Sequence, residues 1–254
     1  MLILLSPSKT LDFETPVKMK YGEYPEFIKQ ASQLVNIMKK KPVAKLMEMM
    51  NISRKLAELN HERFQKWSYP YNMEIARPSF SAYMGDVYEG LKAWEFDNAQ
   101  IDYADQHVRI LSGLYGILKP TDLILPYRLE FGIEVKGRNF DNLYEFWCSR
   151  VTGKVVKDLK TIRSKVLINL ASAEYAKSVD FTRIKAKIIT PFFVEFRNGQ
   201  YKFITLTGKK ARGTMTRYIL EKRISEPEEL KLFNYDGYEF DEKQSKGKRW
   251  VFVR

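Results

Sequence analysis

The chain is short of the residues that bind soft metals and form disulfides. Its 254 residues include one cysteine, Cys148, and two histidines, His61 and His107. One thiol excludes a disulfide within the chain, and these residues lack the spacing of a zinc or haem site. So few histidines also assemble no Ser-His-Asp or Cys-His catalytic arrangement. We therefore expect no metal, no cofactor, and a buried, unreactive thiol at Cys148.

Long hydrophobic runs are also missing. No window approaches 18 apolar residues, so we expect no membrane-spanning helix and no membrane partner. The start, MLILLSPSK, has neither the basic region nor the small-residue cleavage site of a secretory signal, which favours a cytoplasmic protein. The chain has no internal repeat and no linker rich in proline, serine or glycine, so we expect a single domain over residues 1–254.

Glycine is absent from the first part of the chain. The segment LSPSKTLD, residues 5–12, has the serines and the lysine of a phosphate loop, but no glycine precedes Gly22. It is therefore not a Walker loop, and ATP hydrolysis has no support. Lys9 follows a short apolar strand, and active residues gather at the carboxyl ends of strands. We expect Lys9 at the mouth of a cleft.

The residues that are abundant are apolar and basic. The hydrophobic fraction is 44% and the aromatic fraction 14%, which indicates a folded globular protein. Lysine and arginine number 43 against 31 acidic residues, giving a formal net charge of +12. Such a charge suits an anionic partner, although some basic proteins are merely soluble.

The periodicity of apolar residues predicts an α+β fold. We expect one compact mixed α/β domain, with a central mixed sheet and flanking helices. The predicted strands are MLILL, residues 165–172, residues 186–196, GQYKFIT and KRWVFVR. The turn signal Asn198-Gly199 predicts that residues 186–196 and GQYKFIT pair as a hairpin. The predicted helices are 24–40, 42–50, 53–67 with Ser53 as N-cap, 99–112, 209–223, and a short one opened by Pro227.

A Gly-x-x-Gly pattern interrupts the segment RILSGLYGILKP, residues 109–120. Gly113 and Gly116 would permit a tight hairpin between two helices, and the second helix would offer free N–H groups to a phosphate. Arg109 and Lys119 flank this hairpin and would supply charge. The alternative is a plain turn between two packed helices, with the intervening residues in the core.

Two other segments concentrate positive charge. TGKKARGTMTRYILEKR, residues 207–223, has six basic residues and one acidic residue, and so suits a phosphate backbone or a solvated helix face. Its candidates are Lys209, Lys210, Arg212 and Arg217. In PYRLEFG, residues 126–132, Arg128 could contact a ligand or pair with Glu130 in a structural salt bridge.

Several of these segments together resemble the peroxide stress protein YaaA family. They are MLILLSPSKTLDF, GDVYEGL, RILSGLYGILKPTDLILPYRLEFG, LYEFW, INLASAEYAKSV and KKARGTMTRYI, and they cover nearly the whole chain in matching order. The resemblance implies a bacterial cytoplasmic protein linked to hydrogen peroxide resistance and to low free iron. It also implies a single α/β domain with a basic cleft, a helix-hairpin-helix element and DNA binding.

The resemblance implies where DNA would bind. The helix-hairpin-helix element would span about 99–125, with Gly113 and Gly116 in its hairpin. The candidate DNA-binding residues are Lys9, Arg109, Gly113, Gly116, Lys119, Arg128, Lys209, Lys210, Arg212 and Arg217.

Three classes of function remain open at this stage. The first is a monomeric protein that binds the DNA phosphate backbone without sequence preference and helps limit DNA damage and free iron. The second is an enzyme acting on a nucleotide or damaged nucleic acid, with Lys9 in a basic cleft and Asp12, Asp86 and Glu130 as available acids or bases. The third is a scaffold for a protein partner, for which the sequence offers no exposed apolar stretch.

Overall fold

The structure is a computed structural model that describes residues 1–19 and 22–254. Its strands, in chain order, are β1 (Leu2–Leu5), β2 (Thr10–Leu11), β3 (Arg77–Pro78), β4 (Tyr83–Met84), β5 (Val108–Ser112), β6 (Gly116–Leu118), β7 (Leu123–Ile124), β8 (Val166–Asn169), β9 (Lys187–Arg197), β10 (Gln200–Lys202), β11 (Glu239–Lys246) and β12 (Arg249–Val253). Its α-helices are α1 (Ile28–Met38), α2 (Val43–Met50), α3 (Arg54–Lys66), α4 (Ser79–Ala82), α5 (Asp86–Leu91), α6 (Asn98–His107), α7 (Leu143–Thr161), α8 (Ala173–Ala176) and α9 (Thr205–Lys222).

An eight-stranded mixed sheet forms the centre of the fold. Its order is β11-β12-β9-β8-β1-β5-β6, and β10 pairs with β9. Strands β12, β9, β8, β1 and β5 run parallel, whereas β6, β10 and β11 run antiparallel to their neighbours. All four residues of β1 are buried, as expected of a central parallel strand covered on both faces. The predicted mixed α/β fold with a central mixed sheet is confirmed.

Most local predictions based on periodicity are correct. MLILL contains β1, and Ser53 caps α3 by accepting a hydrogen bond from the backbone N–H of Leu56. Asn198 and Gly199 both have positive φ and join β9 to β10, as an Asn-Gly hairpin requires. Pro227 opens a short 3-10 helix that ends at Leu232.

The predicted helix-hairpin-helix element at 99–125 is wrong. Helix α6 ends at His107, and residues 108–118 form an antiparallel β-hairpin in which β5 and β6 are buried throughout. Pairing with β1 imposes the strand, because the apolar stretch after His107 lies beside the most buried strand of the sheet. Tertiary pairing has overridden the helical spacing.

Gly113 and Gly116 serve this β-hairpin. Gly116 has φ +74°, and a Cβ there would lie 2.6 Å from the indole of Trp147. A Cβ at Gly113 would overlap the carbonyl oxygen of Leu129. The Trp147 indole N–H donates to the carbonyl of Gly113 at 2.9 Å. Both glycines are therefore required by packing inside the protein and do not present their amides to a phosphate.

Helix α7, which the sequence analysis did not predict, packs against this hairpin. Asn142 caps it by accepting from the backbone N–H of Glu145. Its Asp158 accepts a hydrogen bond from the Nε of Arg109 at 2.7 Å and forms an ion pair with the Nζ of Lys154 at 2.9 Å. A carboxylate buried between helix and sheet thus has a cation at each oxygen, which offsets its desolvation.

Asp122 makes stability depend on pH. Burial raises its pKa to about 7, while a hydrogen bond from the backbone N–H of Lys119 acts in the opposite direction. From about pH 4 to about pH 7 the unfolded chain loses this proton and the folded chain keeps it. The contribution of Asp122 to the free energy of unfolding therefore falls as pH rises through that window. Asp122→Asn keeps an acceptor for Lys119 and removes the titration.

We expect the wild-type protein to lose stability relative to Asp122→Asn as pH increases from about 4 to about 7, by up to a few kcal/mol. Urea unfolding of both proteins at several pH values measures the difference. A difference that is independent of pH would contradict this assignment.

Candidate nucleic-acid interface

Polar side chains gather where the central parallel strands end. Strand β1 is followed by Ser6, β5 ends at Ser112, and β8 is followed closely by Ser172. The backbone N–H of Ser172 donates to the Ser6 hydroxyl at 2.8 Å, which joins the first and third of these loops. The Tyr88 hydroxyl donates to the Ser6 carbonyl at 3.1 Å. This carboxyl edge is where open α/β sheets bind ligands.

Two predicted cations meet at Glu130 on this edge. Its Oε1 lies 2.9 Å from the Lys9 Nζ and 3.1 Å from an Nη of Arg128. The side chain of Lys9 is 63% exposed, whereas that of Glu130 is 10% exposed. Arg128 therefore forms the structural salt bridge that was one of its two predicted roles. Glu130 Oε2 is buried and accepts no hydrogen bond from the described residues.

A short chain of hydroxyl groups lies beside this cluster. The Tyr127 hydroxyl is 2.6 Å from the hydroxyls of both Tyr83 and Ser112. Burial raises the pKa of Tyr127 to about 12; its two hydrogen bonds lower it, and the charge of Glu130 raises it further. At neutral pH Tyr127 is protonated, and its two hydrogen bonds hold the three buried hydroxyls together beneath Glu130.

Glycines hold the start of α9 close to the same edge. A Cβ at Gly213 would overlap the carbonyl oxygen of Val87, and one at Gly90 would overlap the carbonyl oxygen of Lys210, so α5 and α9 touch through their backbones. Lys209 Nζ lies 3.7 Å from Asp86, the first residue of α5. The residue before it, Gly85, faces the Ser8 hydroxyl. Lys209 is thus positioned near the loop that carries Lys9.

Arg212 lies one turn further along α9. Its guanidinium lies over the ring of Phe203, 5.8 Å from the centroid. The residue is half-buried, and burial lowers the pKa of its guanidinium. No carboxylate among the described residues pairs with it. Lys210, two residues before it, is exposed and also forms no ion pair with a described residue. A desolvated arginine without a carboxylate favours an external anion.

The other predicted contact residues lie elsewhere. Arg109 is 5% exposed and pairs with Asp158 under α7. Lys119 follows β6, which runs away from the carboxyl edge, and its Nζ lies 3.8 Å from Asp105. Arg217 pairs with Glu95 and Glu221. Gly113 and Gly116 are buried in the hairpin. The structure therefore brings together Lys9, Arg128 and Lys209, with Lys210 and Arg212 adjoining on α9.

The sequence analysis missed two features. It did not single out Tyr127 and Ser112, because only the pairing of distant loops brings their hydroxyls together. It also did not single out the helical hairpin formed by α2 and α3, although it predicted both helices; Asn51, in the left-handed region (φ 48°), follows α2 at the turn. Arg54 and Lys55 lie exposed at the start of α3.

Comparison with known proteins identifies the family. The model of the family "Peroxide stress protein YaaA" matches residues 1–244. The chain belongs to the peroxide stress protein YaaA family. It is 45% identical over its full length to a protein described as a UPF0246 protein in Hahella chejuensis, covering 99% of that relative. Full-length relatives of the same description in Janthinobacterium sp. and Aliivibrio fischeri are 46% and 45% identical, each with 98% of its length covered.

None of the described helices has both the length and the apolar character needed to cross a bilayer. No group of three or more histidine, cysteine, aspartate or glutamate side chains in residues 1–19 and 22–254 is arranged to hold a metal ion.

The close backbone contact between α5 and α9 predicts that a larger residue at Gly213 destabilises the protein. Gly213→Ala should lower the melting temperature by several degrees and displace the start of α9, because the methyl group overlaps the Val87 carbonyl. Gly153→Ala is the matched control. Gly153 lies within α7 and a Cβ there meets nothing within 4 Å, so alanine should be neutral or stabilising by up to about 1 kcal/mol. Thermal unfolding followed by circular dichroism compares the two; equal midpoints would contradict the close contact.

Proposed function

We propose that this member of the peroxide stress family binds the DNA phosphate backbone through its carboxyl edge and the start of α9. The observation that carries the proposal is the surplus of cations there. Glu130 offsets part of the charge of Lys9 and Arg128, and Asp86 lies near Lys209, while Arg212 and Lys210 pair with no carboxylate among the described residues. The net charge of +12 supports the same class of partner.

The expected mode of binding is independent of sequence. Lysine and arginine side chains at this edge would neutralise phosphates and release counterions, and such contacts fix position without reading bases. Bound in this way during peroxide stress, the protein would shield DNA from damage. Lower free iron would then follow indirectly.

The α9 cations provide the direct test. Changing Lys209, Lys210 and Arg212 together to alanine should weaken duplex binding by about tenfold or more for unrelated sequences and should reduce its salt dependence. Fluorescence anisotropy with labelled duplexes from about 50 to 200 mM salt measures both effects.

The control variant removes the same charge elsewhere. Lys243, Lys246 and Lys248 are exposed on or beside β11, and none forms an ion pair with a described residue. Their triple alanine variant should retain nearly all of the affinity. Equal losses in the two variants would mean that net charge alone attracts DNA, and the carboxyl edge would not be the interface.

A second candidate function is favoured by Glu130. Its Oε2 is buried without a donor, and Lys9 is its exposed neighbour, so the pair could serve an enzyme acting on a nucleotide or damaged nucleic acid. Incubation with damaged duplexes and with nucleotides, followed by chromatography, would reveal a product. If the protein is an enzyme, the wild type should form a product and Lys9→Met should not. If it only binds nucleic acid, neither the wild type nor Lys9→Met should form a product.

A further inference from the structure

A second unpaired arginine lies in a separate cleft. The cleft has a volume of about 570 Å³, within the range of small-molecule sites. Helix α3 contributes Arg63, and Phe13, Pro126 and Ile75, the last residue of a short 3-10 helix, complete the walls. Lys9, Arg128, Lys209 and Arg212 do not line this Arg63 pocket, so it is distinct from the proposed DNA interface.

The walls of the Arg63 pocket are apolar and partly aromatic. Phe13 is half-buried, and Arg77 lies over its ring, 5.7 Å from the centroid. Trp67 is fixed by a hydrogen bond from its indole N–H to the Tyr115 hydroxyl at 3.0 Å. The partly exposed Phe13 ring offers a surface on which a planar ligand can stack, and the buried Trp67 forms an apolar wall behind it.

Arg63 has no acidic partner in this setting. It is half-buried, and its guanidinium makes no hydrogen bond or ion pair with a described residue. Burial alone accounts for the lowering of its guanidinium pKa, so no carboxylate offsets its desolvation. The other lining cations differ, because Lys66 pairs with Glu62 and Arg77 lies 3.7 Å from Asp12. A desolvated guanidinium is a strong bidentate site for phosphate.

Carboxylates complete the chemistry of the pocket. Glu62 and Glu74 also line it, and each can accept a hydrogen bond from a sugar hydroxyl or a base amino group. Ring stacking, an anion site and hydrogen-bond acceptors therefore occur within one cavity.

We propose that the Arg63 pocket binds a phosphorylated nucleoside unit, with its phosphate on Arg63 and its base against Phe13. Such a unit could be a free mononucleotide or a nucleotide of a single strand. The inference does not rest on the proposed binding of duplex DNA, since the two sites share no residue that either assignment uses.

Isothermal titration calorimetry on the full chain tests the pocket. The probes are deoxyadenosine monophosphate, deoxyadenosine and a five-nucleotide deoxyadenosine strand. Arg63→Met should weaken binding of the monophosphate, the strand, or both by at least about tenfold, and should leave the weaker binding of deoxyadenosine unchanged. An effect on the monophosphate identifies a free nucleotide as ligand, and an effect on the strand alone identifies a nucleotide within a chain.

Arg54→Met is the matched control, since Arg54 lies on the same helix but is exposed and paired with Glu58. It should bind every probe as the wild type does. Without ligand, Arg63→Met should melt at or above the wild-type temperature, because no protein partner loses its charge.

Unchanged affinities in Arg63→Met, or no binding of the monophosphate and the strand by the wild type, would overturn the proposal. So would a lowered melting temperature with unchanged affinities, which would make Arg63 a structural residue. Duplex binding is measured separately on the α9 variant, so either site can fail while the other stands.

Discussion

The burial of β1 between β5 and β8 is the constraint on which the rest of the molecule depends. A strand with four buried residues and parallel neighbours on both sides leaves only its carboxyl end free for polar groups. Ser6 and Lys9 follow that end, and the adjoining ends bring Ser112 and Ser172 beside them. The cluster at Glu130 is therefore a consequence of the strand order.

Backbone contact between α5 and α9 extends this edge. Gly90 and Gly213 allow the two helices to approach more closely than any side chain would permit. This packing places Lys209 at Asp86 and fixes the start of α9 above the loop that contains Lys9. The glycine in the basic segment of α9 is thus required by helix packing, and this packing also fixes the position of the neighbouring cations.

Sequence reasoning succeeded where local signals agree with the fold. Ser53 caps a helix and Asn198-Gly199 closes a hairpin, because both signals act within a few residues. It failed at 108–118, where pairing with β1 decides the structure and the helical spacing of apolar residues does not. It named Lys9 as a candidate because it follows a strand, Lys209 because it opens a basic helix, and Arg128 because it lies between an aromatic residue and a carboxylate. It could not separate them from Arg109, since pairing with Asp158 depends on a residue 49 positions away.

Partly or fully buried cations fall into two groups, those with a carboxylate partner in the protein and those without one. Arg109 and Lys154 share Asp158, so the cost of removing these charges from water is offset inside the protein. Arg63 and Arg212 also lose hydration, yet no described carboxylate compensates either one. A folded protein gains no stability from such an arrangement, and a methionine of similar length would fill the same space at lower cost. In both proposals, the two unpaired guanidiniums mark positions where an external anion would supply the missing charge.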